Sequence, residues 1–184
     1  MGLEIRSLEI RTAVAADADA ACTVLRRSIS ECCVQDHKND PAILDAWLGN
    51  KTPQMVANWF SSPTNFSLVA VSEGAVVGVA LLTGAGKLAL CYLLPEARGQ
   101  GVGKALLAEL IGRCERLGIR QMLAVIGDAE NRGSISVHKS CGFEHTGTFA
   151  AAGWKFERWL DVVMMQRRLG TGADAAPVER EDLR

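Results

Sequence analysis

Three glycines fall within five positions of "PEARGQGVGKALLAEL" (residues 95–110), after three β-rich runs and at the start of a stretch with helical periodicity. No other feature restricts the fold as strongly. The runs at 68–71, 75–82 and 88–94 are joined by Glu73-Gly74 and Gly84-Ala85-Gly86. Connections that short cannot carry a crossover between parallel strands, so the three runs read as an antiparallel meander. The stretch after the glycines carries Leu106, Leu110, Ile111, Cys114 and Leu117 on one face and stops at Gly118. That predicts an amphipathic helix laid against the sheet. Gly-x-Gly-x-Gly between strand and helix lets the backbone bend sharply, or lets something come close to it.

The flanking chain supplies further elements. Residues 8–14 read as a strand. Asp17 and Asp19 are candidate caps for a helix reaching about Cys33, with Ala21, Leu25 and Ile29 as its apolar stripe. Asp40-Pro41 and Thr52-Pro53 each set a capping side chain before a proline at the first helical position, predicting short helices through Trp47 and Phe60. Past Gly118, residues 122–126 form an apolar strand. Asn131 caps a short helix that runs to Cys141 and ends at Gly142. Residues 143–149 and 158–168 read as strands, the last lacking alternation and so expected to be buried on both faces. Residues 1–169 make one domain, and 170–184, rich in Gly, Ala and charge, are expected to be a mobile tail.

Twenty Lys and Arg oppose 21 Asp and Glu in 184 residues, a formal charge of -1. Nothing electrostatic therefore favours nucleic acid or an acidic membrane as a partner. No apolar run reaches the roughly 20 residues of a bilayer-spanning helix. The opening MGLEIRSLEIR lacks the apolar centre of a signal peptide, and Arg6 stands where a myristoylation signal wants Ser or Thr. The six cysteines (Cys22, Cys32, Cys33, Cys91, Cys114, Cys141) show no C-x-x-C spacing. Free thiols in a reduced cytoplasm are the expectation, with neither a disulfide framework nor a metal site.

Three ligand readings compete for the glycine turn. A phosphate-binding P-loop needs G-x-x-x-x-G-K-[ST], but Arg98 replaces its first Gly and Ala105 its hydroxyl. A dinucleotide fingerprint needs its third Gly one position later, and a parallel unit around it. The remaining reading is R-G-x-G-x-G at a helix start, where the main-chain amides of Gly99, Gln100, Gly101, Val102, Gly103 and Lys104, with the helix dipole and Arg98, face a pyrophosphate.

"LLPEARGQGVGKALL" resembles the acyl-CoA pyrophosphate loop of the GNAT superfamily of N-acetyltransferases. "ENRGSISVHKSCGFEHTG" resembles the following family element, and "GWKFERWLDVVMMQRRL" is similar to the closing strands of the phosphinothricin acetyltransferase-like branch. The likeness covers residues 68–169 well and 20–65 poorly. It implies an α/β (α+β) fold: a mixed, mostly antiparallel sheet of about 6–7 strands with helices on both faces. Two strands, here 88–94 and 122–126, would splay apart to hold acyl-CoA.

The resemblance also implies roles. Tyr92, Leu93 and Leu94 would offer main-chain partners to pantetheine, with the N–H near Leu93 polarising the thioester carbonyl. Asn131 would lie by the cofactor. His138, seven residues on and on the same helical face, would protonate or hydrogen-bond the departing thiolate. The strand carboxylate that many of these enzymes use as a base is missing, because its position near Leu88 is apolar. Glu31, Asp36 and His37 are candidates on the acceptor side. An Arg-containing stretch of the branch is shortened to LLTGAGK, and Glu157 replaces a family Gly. Trp154 and Trp159 could line the acceptor site or serve as core or interface. Cys91 has no neighbour in sequence to activate it as a nucleophile. The implied activity is acetyl transfer from acetyl-CoA to a primary amine by direct attack. A CoA-binding module without turnover is the alternative. Cytoplasmic location and a homodimer are the further expectations.

Overall fold

The computed structural model describes residues 7–84, 86–155 and 157–175. Its single sheet contains β1 (Glu9–Thr12), β2 (Asn65–Ser72), β3 (Ala75–Thr83), β4 (Lys87–Leu93), β5 (Gln121–Ile126), β6 (Glu144–Lys155) and β7 (Arg158–Arg168). They lie in the order β1-β2-β3-β4-β5-β7-β6. The meander β2–β3–β4 is antiparallel, as its short connections require. β4 and β5 alone are parallel neighbours, joined through the crossover helix α5. The helices are α1 (Ala18–Cys32), α2 (Val34–His37), α3 (Pro41–Leu48), α4 (Pro53–Ser61), α5 (Val102–Arg116) and α6 (Arg132–Ser140).

The helices cover both faces of the sheet. Leu106, Leu107 and Leu110 of α5 are fully buried with Leu68, Leu82 and Met122. On the other face Ala21 and Leu25 of α1 and Val56 of α4 pack with Val79. Each fully buried leucine contributes about 1.5–3 kcal/mol, against about 0–1 kcal/mol for an exposed ion pair. Apolar packing therefore holds α5 in place. Asp40 caps α3 by accepting from the N–H of Ala42 and Ile43, and Thr52 caps α4 by accepting from Met55.

Several boundaries differ from the sequence reading. Asp17 stands at the N-cap of α1, but its side chain makes no cap hydrogen bond to that helix. Its carboxylate takes both Arg11 guanidinium nitrogens at 2.7 Å and the Val14 N–H at 2.8 Å, which also ends β1 early. Asp19 lies exposed in the first turn of the helix. β6 is 12 residues long, far beyond Phe149, because it pairs with nearly all of β7. β7 is not buried on both faces: Leu160, Val163 and Met165 are buried, whereas Trp159 is 61% exposed. Leu169 is buried, and residues 170–175 turn back with Arg168 paired to Asp174. The rest of the expected tail, 176–184, lies outside the described residues.

Candidate active site

β4 and β5 pair at their beginnings only. Lys87 registers with Leu123 and Leu88 with Ala124, after which the strands part. Gly86 sets the base of this split. Its φ is +80°, and a Cβ there would stand 2.6 Å from the Gln121 carbonyl oxygen. A register shift between Leu81 and Leu82 re-aims β4 just beyond the base. Leu88 then packs on the α5 side, whereas Leu90 and Tyr92 pack on the α1 side.

The unpaired edge of β4 can be assigned from its other neighbour. Leu94 donates its N–H to Val77 O at 2.9 Å. Antiparallel pairing alternates every residue, so Tyr92 also turns its main chain to β3. This corrects the expectation that Tyr92, Leu93 and Leu94 all face the gap. Leu93 does face it, and Cys91 joins it. Across the gap, Leu123 donates to Gly86 O, so the main chain of Val125 points the same way.

The glycine turn lies just past the end of β4. Gly99 and Gly101 have φ of +75° and +83°, and a Cβ on either would meet nothing within 4 Å. Gly101 is the N-cap residue of α5 and supplies no capping side chain, so the first amides of the helix lack an internal acceptor. Gly103 instead serves packing: its Cβ would sit 3.4 Å from Leu93 and 3.8 Å from Val137. Arg98 reaches across to α6, its guanidinium 3.6 Å from the point where a Gly133 Cβ would stand, with Asn131 Oδ1 at 3.9 Å. The turn, Arg98 and Asn131 thus converge. Asn131 Oδ1 is already taken by the Ser134 N–H at 3.0 Å. Arg27 on α1 steadies the turn by forking onto Glu31 and onto Glu96, which lies in the turn before Arg98.

His138 is 5% exposed and edge-on to Phe143. Its Nδ1 lies 2.7 Å from the Ser134 carbonyl oxygen. A carbonyl only accepts, so Nδ1 carries the hydrogen and Nε2 a lone pair. Burial lowers its pKa, which keeps the imidazole neutral. Nε2 is buried with no partner among the described residues. Such an atom suits an acceptor of a hydrogen bond better than the expected acid. Burial pushes the Cys91 thiol up to about 12, away from the thiolate that a nucleophile needs. All six cysteines are free.

The acceptor-side candidates separate. His37 is fully buried, with Nε2 on Ile29 O and Nδ1 accepting from the Asn39 N–H. It finishes α1 and has no ring nitrogen left for a substrate. Glu31 is exposed and occupied by Arg27. Asp36 lies half-buried within hydrogen-bonding reach of Asp128. Asp128, just past β5, accepts from Arg158 at 2.7 Å and from the Glu130 N–H at 2.8 Å. Lys155 lies near Asp36 and over the Trp47 ring at 3.3 Å. Sequence reading missed Asp128, Lys155 and Arg158. Only Asp128 had a local signal, an aspartate closing a strand and turning the chain two residues on. Trp154 and Trp159 register with each other and stack edge-on, on the opposite side of the hairpin from Lys155 and Arg158.

The architecture is one shared with solved acetyltransferases. A phosphinothricin acetyltransferase from Sinorhizobium meliloti, solved with acetyl-CoA, matches with a TM-score of 0.76 and 39% identity over 94% of each chain. Residues 24–143 match the acetyltransferase (GNAT) family, and the chain belongs to that family. Phosphinothricin N-acetyltransferase of Alcaligenes faecalis is 42% identical over 118 residues, 60% of each chain. The L-methionine sulfoximine/L-methionine sulfone acetyltransferase of Pseudomonas aeruginosa is 41% identical over 78 residues, 42% of this chain and 45% of that one. The chain thus spans under two thirds of the length of these two curated relatives.

Proposed function

We propose that this acetyltransferase moves the acetyl group of acetyl-CoA to the amino group of an amino acid or a close analogue, by direct attack with both substrates bound. The observation that carries this reading is the split between β4 and β5, which opens beside a glycine turn that starts α5 with no capping side chain. Pantetheine fits along the free edge at Cys91 and Leu93, and the pyrophosphate fits the amides of Gly99 to Lys104 with Arg98. The open space over Gly99 and Gly101 and the unpartnered Nε2 of His138 both suit such a ligand. Asn131 caps α6 beside Arg98. Main-chain N–H groups at Leu93 polarise the thioester carbonyl, and fixing both reactants in one cleft supplies much of the rate. His138 accepts a hydrogen bond at the sulfur as the thiol forms. Relatives named for phosphinothricin and methionine sulfoximine support an amino-acid-like acceptor, although the shortened LLTGAGK stretch argues for a different side chain.

Thiol release from acetyl-CoA, measured across a panel of amino acids and amines, tests the reading. Turnover with amino-acid acceptors is expected, and His138→Ala should lower kcat by about 10–100-fold while leaving CoA affinity within about threefold. Tight CoA binding with no acceptor turned over would favour the binding-module alternative.

A homodimer fits the same chain. Phe149, Trp154 and Trp159 of the β6–β7 hairpin are about 60% exposed, an apolar surface of the kind that copies of a chain bury together. No helix of the described residues is long and apolar enough to cross a membrane.

A further inference from the structure

The family carboxylate on the strand is absent: β4 reads KLALCYL, and Leu88 is packed in the core. A protonated amine cannot attack a thioester, so its proton must go elsewhere. We propose that Asp36, held against Asp128 at the open end of the β4–β5 split, is the proton acceptor for the incoming amine. This rests on the acetyl-transfer reading above.

Three observations converge on Asp36. The first is placement. Tyr92 packs on the α1 side of β4, and Asp36 and Cys33 lie close enough to perturb its phenol. Asp128 follows the end of β5. Asp128 thus stands at the open end of the split, and Asp36 comes to it from α2. His138 lies towards the α5 side, where Val137 meets Leu93 and Gly103. In the proposed step the amine meets Asp36, and the sulfur leaves towards His138.

The second observation is the division of labour between the two aspartates. Asp128 has each oxygen engaged, one by Arg158 and one by the Glu130 N–H, whereas among the described residues no such donor anchors the Asp36 carboxylate. The third is environment. Groups facing Asp36 are Asp128, Cys33, Tyr92, Lys155 and Arg158. Burial and Asp128 raise its pKa above the usual carboxylate value, and Lys155 and Arg158 act against that. A carboxylate so placed is a stronger base than one in water.

The step balances. Asp36 takes one proton from the bound ammonium and passes it to water. The freed nitrogen lone pair forms the C–N bond, the C–S bond breaks, and the second nitrogen proton ends on the sulfur. The products are the amide, the thiol and one proton in solution.

The test measures kcat/KM against pH for the unaltered enzyme and for Asp36→Asn, Asp36→Glu and Asp128→Asn. It uses two acceptor classes: an ordinary amino acid, and an aminooxy or hydrazide analogue whose nitrogen is already neutral at pH 7. Asp36→Asn should lose about 100-fold or more with the amino acid and under about tenfold with the neutral analogue. Its CoA-induced rise in Tm should be unchanged. Asp36→Glu should recover part of the loss. Asp128→Asn should move the acid limb to lower pH, since a negative neighbour is removed. Equal losses with both acceptor classes, or an Asp36→Asn enzyme within about threefold of the parent, would overturn the assignment. Absence of thiol release from the unaltered enzyme would instead remove the parent reading, and the assignment with it.

Discussion

At the scale of residues, the glycine turn is where the absence of side chains leaves main chain open. Gly101 has φ of +83° and open space where its Cβ would point. Gly101→Ala should cost about 1–2 kcal/mol of backbone strain, and Gly101→Val similar strain with more bulk over the amides. If those amides grip a pyrophosphate, calorimetry should show CoA affinity falling at least tenfold for Val and clearly less for Ala, with a similar loss of Tm for both. Equal affinity in both variants and the parent would place the anion elsewhere. Gly86 has the same backbone sign for another reason: a side chain there collides with the Gln121 carbonyl. The sequence shows both glycines identically. Only their surroundings separate ligand access from strand packing.

At the scale of elements, the ion pair at the start of α1 links that helix to the sheet edge. Asp17 is nearly buried and accepts from both Arg11 and the Val14 N–H. The Arg11 guanidinium holds its carboxyl below the ordinary value of 3.8. A group whose folded pKa is depressed stabilises the fold above its unfolded pKa and loses that contribution as pH falls through the folded one. Asp17→Asn should therefore destabilise by about 1–2 kcal/mol at neutral pH, with Arg11 partly exposed and the pair discounted accordingly. The penalty should shrink as pH falls from 3.8 towards the depressed folded value, which urea denaturation at pH 7 and pH 3 would reveal as a smaller difference at pH 3. A pH-independent penalty would assign the loss to packing rather than charge.

At the scale of the whole molecule, a ligand lying between two halves of a split sheet ought to stabilise all of it. CoA at 100 times its Kd adds about 2.7 kcal/mol, and at about 2–4 °C per kcal/mol for a chain of this size the Tm should rise by about 5–11 °C. No rise at saturating CoA would contradict the cleft assignment. Light scattering at micromolar concentration should give twice the chain mass, and Trp159→Glu should return it to one. An unaltered mass in that variant would place the dimer surface elsewhere, and a monomeric parent would remove it.

The sequence by itself determined the meander, the crossover helix, the three side-chain and proline caps, and the glycine turn. Each depends on neighbours within a few residues: short turns, a 3.6-residue period, a cap beside its own helix. It also placed Asn131 as the cap of the helix that carries His138. Tertiary structure decided what long-range contact controls. It turned the carboxylate of the N-cap residue Asp17 away from its helix to Arg11, consumed His37 in closing α1, and extended β6 along β7. It swapped Tyr92 and Leu94 for Cys91 at the open edge of β4, since a bulge sets which amides face the gap. It brought Asp36 to Asp128 across 92 positions of sequence, a juxtaposition no local pattern encodes because packing alone places α2 beside the end of β5.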